Sequence, residues 1–286
     1  MRNVLIIGAS SGIGRATAES LVANGVNVIG TFNETEGHIP GVHFEPLNVL
    51  DDEVSLEFLP EQLDGLVYCP GTIDLKPFHR IKPEQFVQDY QLQVLGFIKV
   101  LQQALPYLKQ STRASVVALS TVAVKTGFPF HSLVASSKGA LEGVIRSLAA
   151  EYAPSIRVNG IAPSLTQTPL ASRLLSSPEK IEANAQRHPL KSIGQPEDIA
   201  AAIEFLLDSE KSRWVSGQIL HVDGGMSALK IWYMFGLFKS KKDKLFDRYN
   251  KLLNESHRLS HSNRTLADQK YAEAQQVLEE FESIKD

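Results

Sequence analysis

The chain of 286 residues has a single cysteine, Cys69, which excludes an intramolecular disulfide and suits a reducing compartment, the cytoplasm being the expectation. It lacks any apolar run near the roughly 20 residues that a membrane-spanning helix needs. It lacks an excess of basic charge: the net charge is -3 and the pI about 6.3, so nothing marks it for nucleic acid. No secretory leader is expected, since Met1-Arg2-Asn3 runs directly into the strand-like Val4-Leu5-Ile6-Ile7. The eight histidines show no metal-ligand spacing with cysteine or carboxylates, and Asp223-Gly224-Gly225 reads as a turn rather than a calcium loop, so no metal site is expected. What remains, 43% hydrophobic and 21% charged, is enough apolar sequence to bury a sizeable core.

The first part of the chain alternates short β-rich runs with longer helical patterns. Strands are predicted at Val4–Ile7, Val26–Gly30, Val42–Glu45, Gly65–Cys69, Val116–Ser120, Arg157–Ile161 and Gln218–Val222. Helices are predicted near Gly14–Asn24, Glu84–Leu108, Ser132–Tyr152 and Pro196–Leu207. Several strands are apolar throughout, as expected when helices cover both faces of a sheet. The fold class is therefore α/β, a doubly wound parallel sheet of Rossmann type with about seven strands, occupying residues 1–229.

Residues 230–286 differ in kind. The aromatic cluster Ile231–Phe238 and the basic Lys239-Ser240-Lys241-Lys242 precede two helical patterns. Leu245, Tyr249, Leu252 and Leu253 share one face of the first; Tyr271, Ala274, Leu278 and Phe281 space the second, with Ser260-His261-Ser262-Asn263 between them. A helical hairpin extension is expected, and this tail loosely resembles small bacterial hairpin proteins that would begin near Met234. The cluster is read as packing on protein rather than on membrane, because the apolar stretch is short and the tail's charges nearly balance.

Chemistry enters at Ile7-Gly8-Ala9-Ser10-Ser11-Gly12-Ile13-Gly14, between the first strand and the first helix. Gly8, Gly12 and Gly14 permit a tight turn and a close backbone approach to a pyrophosphate. The helix starting near Ile13 points free N–H groups at that anion. Glycines also make plain turns, but this context is the one a dinucleotide site requires. The second strand ends in Gly30-Thr31-Phe32-Asn33, with no acid to accept from the ribose hydroxyls of NAD. With Ser10, Ser11 and Thr31 available to a phosphate, and Arg15 read equally as a further contact or as a solvated helix residue, NADP(H) is favoured over NAD(H).

These features resemble the classical short-chain dehydrogenase/reductase family over roughly residues 1 to 228. Asn48-Val49 stands where that family commonly has an Asp-Val pair touching adenine, and Tyr68-Cys69-Pro70-Gly71 keeps only Gly71 of an Asn-Asn-Ala-Gly segment. Arg157–Pro163 and Thr168-Pro169 match the segment that meets the nicotinamide, with Pro163 and Thr168 as contacts. Gly194–Ala200, Ser216-Gly217-Gln218 and Val222–Gly225 match the C-terminal half. The resemblance implies hydride transfer between a nicotinamide and a small-molecule carbonyl or activated double bond. It also implies a homodimer or homotetramer through Glu84–Leu108 and Ser132–Tyr152, the latter rich in small residues. Substrate specificity would lie in Leu165–His188.

The family tetrad of Asn, Ser, Tyr and Lys falls here on Gln93, Thr121, Val134 and Lys138. Only the lysine is kept, and valine can neither donate nor accept a proton. A positioned general acid contributes about 10² to 10⁴ in rate, so ordinary carbonyl reduction needs another donor. His131 lies seven residues before Lys138, the spacing of tyrosine and lysine in divergent enoyl-acyl-carrier-protein reductases. It is read either as that donor or as a loop histidine before the helix. Lys138 is a ribose contact or a solvated helix charge, Thr121 a substrate-orienting hydroxyl or a strand terminus, and Cys69 a packed thiol. A cofactor-binding sensor or scaffold without turnover is the alternative function.

Overall fold

A computed structural model describes residues 2–229, 241–259 and 264–283. The aromatic cluster 231–238, Lys239 and Ser240 of the basic run, and the polar break 260–263 lie outside the described residues. The chain divides into two compact units, Met1–Leu229 and Lys230–Asp286.

In the first unit β1 (Asn3–Ile7), β2 (Asn27–Phe32), β3 (Val42–Pro46), β4 (Gly65–Tyr68), β5 (Ala114–Leu119), β6 (Ile156–Pro163) and β7 (Ile219–Val222) form one parallel sheet in the order β3-β2-β1-β4-β5-β6-β7. The order reverses between β1 and β4, which places a crevice at the carboxyl ends of those strands. The central strands β4 and β5 are buried at every position, because helices lie on both faces. One core holds Leu5, Leu66, Phe97, Val116, Leu141 and Ile145. The core on the opposite face holds Ile6, Leu21, Val28, Val117, Ile199 and Ile203. Successive residues of β1, Leu5 and Ile6, thus serve opposite cores, as a pleated strand dictates.

The helices are α1 (Gly12–Ala23), α2 (Pro83–Tyr90), α3 (Gly96–Leu108), α4 (Ser132–Tyr152), α5 (Pro178–Ala185) and α6 (Pro196–Leu207). The helix expected over Glu84–Leu108 is interrupted by a π-turn at Gln91–Leu95. Its cause is visible: Tyr68 Oη donates to the Leu92 carbonyl over 2.6 Å, and Gly96 leaves the room, since a Cβ there would sit 2.4 Å from that hydroxyl. Helix α5 was not expected from the sequence; its eight residues lack a strong apolar stripe, and it begins at Ser177, whose hydroxyl accepts from Lys180 N–H.

In the second unit α7 (Lys241–Leu259) and α8 (Arg264–Ser283) pack on each other around Leu245, Leu252, Ala274 and Val277. Phe246 meets Phe281, and Ser256 donates to the Ala267 carbonyl, so the two helices run antiparallel. One expected contact is corrected: Tyr271 is exposed, and the buried face of α8 runs through Ala267, Ala274 and Val277 instead. Alanines allow the two helices to approach closely, which the bulk of tyrosine at that seam does not. No described helix is long and apolar enough to cross a membrane.

Candidate active site

A cleft of about 1060 Å³ opens at the carboxyl ends of the central strands. Its floor near β1 is the glycine turn, with Gly8, Ser10, Ser11, Gly12 and Ile13 on the wall. Gly8 and Gly12 adopt φ of +78° and +54°, a left-handed region natural to glycine. Gly14 serves packing instead: a Cβ there would lie 2.1 Å from the Gly8 carbonyl oxygen. Helix α1 starts with no side-chain cap from Ser11 and no acid in its first turn, so its leading N–H groups are left for an external anion.

Gln93, Thr121, His131, Val134 and Lys138 all line the same cleft, together with Gly71, Pro163 and Thr168. Each is set there by a different element. The π-turn turns Gln93 inward and buries it completely. Thr121 follows β5, where its Oγ1 accepts from Ala123 N–H over 3.3 Å and its own proton remains free to donate. Val134 and Lys138 stand one helical turn apart on the buried face of α4. His131 precedes that helix, half-buried, its Nδ1 2.7 Å from the Pro129 carbonyl and its ring against Phe128.

Four other candidates lie away from the cleft. Arg15 is at the surface, paired with Glu19 one turn along at 2.9 Å. Thr31 is buried and accepts from Gly8 N–H at 3.2 Å, so it holds the glycine turn in place. Asn48 bonds Asp51 at 2.7 Å and caps a local turn at Leu50 N–H. Val49 is a core residue packed near Gly96.

Lys138 is the electrostatic centre. Only 5% of it is exposed, and burial pulls its ammonium down to about 8, while Asp89 and Cys69 pull the other way. Burial pushes the Cys69 thiol up to about 12, against the pull of Lys138, so it is protonated and no nucleophile. Asp89 is the residue that sequence reasoning missed. It is buried, accepting from Gln93 Nε2 over 2.7 Å and from Thr72 Oγ1. The signal was available, since Asp89 and Gln93 are four apart in one helical stretch and face the same way. Gln93 Oε1 is buried without a partner, and a Cβ on Gly71 would stand 3.3 Å from it and 3.6 Å from Lys138 Nζ. The amide oxygen and the ammonium thus both flank the Gly71 backbone, with Gln93 sealed from solvent and Lys138 at the cleft wall. The uncapped start of α1 and the ammonium of Lys138, both on the cleft, fit a dinucleotide's pyrophosphate and ribose.

The outer wall is apolar, with Leu75, Leu92, Phe128, Leu170, Leu174 and Met226. Polar groups enter it from the segment after β6. Ser164 Oγ lies 2.8 Å from His188 Nε2, and His188 Nδ1 lies 2.9 Å from the Asn184 carbonyl. No motif marks this pair, whose members are 24 residues apart across an irregular segment. At the end of β2, Asn33, Glu34 and Thr35 line the cleft, which puts an acid beside the position where none was expected within residues 30–33. Among the described residues no group of three or more histidine, cysteine or acidic side chains converges to hold a metal.

The family model described as enoyl-(acyl carrier protein) reductase matches residues 45–227. The chain is 33% identical to the 3-oxoacyl-[acyl-carrier-protein] reductase FabG of Thermotoga maritima, over 78% of this chain and 96% of that protein. Among solved structures it resembles the ligand-free aldohexose dehydrogenase of Thermoplasma acidophilum, with TM-score 0.73 and 27% identity over 80% of this chain and 95% of the other. It also resembles ElxO with NADP bound, with TM-score 0.74 and 27% identity over 80% and 99%.

Proposed function

The chain belongs to the short-chain dehydrogenase/reductase family of oxidoreductases, and we propose that it reduces a carbonyl or activated double bond of a small molecule with NADP(H). The observation that carries this reading is convergence: the glycine turn, Thr121, Lys138 and Gln93 share one cleft with Pro163 and Thr168. When bound, a reduced nicotinamide supplies a hydride. The chain's own groups do the rest. The glycine turn and the start of α1 take the pyrophosphate, and Lys138 takes the ribose with Gln93 Oε1 beside it. Thr121 donates to the substrate oxygen and fixes its orientation. Val134 offers that oxygen no proton, so acid catalysis falls to another group; His131 and bound water are the sources the sequence offers.

The preference for NADP(H) rests on three supports: a second strand ending in Thr31-Phe32 without an acid, the hydroxyls of Ser10 and Ser11 on the cleft wall, and the NADP bound to ElxO. Glu34 and the Arg15–Glu19 pair weigh against a strong preference. A second reading, a cofactor-binding sensor that does not turn over, is favoured by one feature alone, the buried valine at 134. We further propose a homodimer or homotetramer. Its support is the small-residue surface of α4, where a Cβ on Gly143 would meet nothing within 4 Å.

Calorimetric titration with NADPH and then NADH tests the reading. Micromolar binding with NADPH tighter is expected, and it opens a substrate screen. No binding at millimolar cofactor would remove both the reductase and the sensor.

A further inference from the structure

We infer that Ser164 and His188 form the proton-delivering pair of this cleft, in place of the missing phenol at position 134. The inference rests on the reductase reading of the same cleft. Both residues line the cleft, and His188 is only 3% exposed. A carbonyl oxygen only accepts, so the 2.9 Å contact to Asn184 makes Nδ1 of His188 the protonated nitrogen. In the neutral ring Nε2 then accepts from the Ser164 hydroxyl at 2.8 Å. In the imidazolium Nε2 donates to Ser164 Oγ, and the serine proton is released from that bond to point elsewhere. The charged pair is thus a hydroxyl donor backed by a proton source.

Position decides between the two imidazoles of the cleft. His131 meets the Pro129 carbonyl through Nδ1 and the Phe128 ring, and among the described residues no hydroxyl is bonded to it. His188 follows the C-terminal end of α5, and meets a carbonyl of its last turn through Nδ1 and the Ser164 hydroxyl through Nε2. The charged groups around His188 are engaged elsewhere. Arg187 bonds Asn184 Oδ1 and faces the Phe128 ring, Lys191 bonds the Gln186 carbonyl, and Glu182 accepts from Gln186. The Asp223 carboxylate accepts from the N–H groups of Gly225 and Ser227. The imidazolium is left to Ser164.

The balance is simple. With two electrons and a hydrogen nucleus arriving as hydride from a reduced nicotinamide, the carbonyl π pair moves onto oxygen. That oxygen takes the Ser164 proton, Ser164 Oγ takes the Nε2 proton of His188, and the neutral imidazole is recharged from solvent. Ser164 is the catalytic residue of the pair and His188 acts through it.

The test uses the full chain, NADPH, and a carbonyl substrate found by screening. Ser164→Ala and His188→Gln are each expected to lower kcat by about 10² to 10⁴, the worth of a general acid. Cofactor affinity, read by NADPH fluorescence, should stay within about twofold, and Ser164→Thr should restore most of the rate. Glutamine can bond Ser164 but cannot carry the proton, so it separates relay from scaffold. The ¹⁵N spectrum of the histidine rings, recorded without cofactor, should show neutral His188 protonated at Nδ1, with Nε2 moving in Ser164→Ala. Near-normal kcat in Ser164→Ala, or a neutral ring protonated at Nε2 in place of Nδ1, overturns the pair. If His188→Gln does not fold, Ser164→Ala and the ring spectrum decide. A native chain that binds neither nicotinamide overturns the reductase reading itself, a different result from a Ser164→Ala enzyme that still turns over.

Discussion

Replacing Lys138 with methionine should make the protein more stable and a poorer binder of cofactor. Burial holds the ammonium at about 8 against an ordinary 10.5, with Asp89 and Cys69 only partly offsetting the loss of water. At about 1.4 kcal/mol per tenfold change in proton affinity, the folded state pays roughly 3 kcal/mol to keep this charge. The sign follows from linkage. Between pH 8 and 10.5 the unfolded chain holds a proton at this site that the folded chain has lost, so stability gained from deprotonation rises with pH across that window. Methionine is close to lysine's stem in size and carries no charge. Lys138→Met should therefore gain about 1 to 3 kcal/mol at pH 7, with the advantage shrinking from pH 8 and gone near 10.5. Urea unfolding of both proteins at pH 7 and pH 10 measures it. Loss of a charged hydrogen bond to the ribose should at the same time weaken NADPH binding by about 10- to 100-fold. If the variant is less stable at pH 7, or its advantage does not change with pH, attraction to Asp89 outweighs burial and the argument is wrong.

Gly14→Ala should destabilise the first unit and abolish tight cofactor binding, because its Cβ would be 2.1 Å from the Gly8 carbonyl; a thermal melt and NADPH titration indistinguishable from the native chain would refute this. Asp89→Asn removes a charge that holds the Lys138 ammonium up, so the pH at which cofactor affinity declines should move lower. Affinity that depends on the charged lysine is present below its titration point and lost as pH rises through it, so an unchanged or higher midpoint counts against Asp89. Ending the chain after Leu229 should leave circular dichroism and NADPH affinity of the remaining unit intact, since each unit has its own core; an aggregating or non-binding fragment would show that the tail is needed.

The sheet and most of its helices were legible because their signals are local. Apolar runs such as Val116–Leu119, a glycine turn between strand and helix, and small residues along α4 all declare themselves within a few positions. The site was legible only where a motif fixes a residue to an element, as with Lys138 on α4. Asp89 escaped, although its spacing to Gln93 places the two on one helical face, because no motif marks it. Arg15 reads from sequence both as a phosphate contact and as a solvated helix residue, and it stands at the surface paired with Glu19 four residues on.

The same limit explains why the missing tyrosine left the chemistry open. A motif records which group an active site has lost, but a proton has no sequence address. It can be delivered by any hydroxyl within reach of the substrate oxygen and any base within reach of that hydroxyl. Here β6 ends in Pro163-Ser164, and the segment that follows returns His188 to within 2.8 Å of the serine. The return depends on α5, whose Asn184 carbonyl lies 2.9 Å from His188 Nδ1. On the proposal that Ser164 and His188 deliver the proton, the acid lies not on α4 but on the segment after β6, where the substrate contacts were expected from the sequence. An enzyme arranged this way ties substrate fit to proton delivery. Substitutions in 165–187 that leave Ser164 and His188 untouched should therefore alter kcat along with KM.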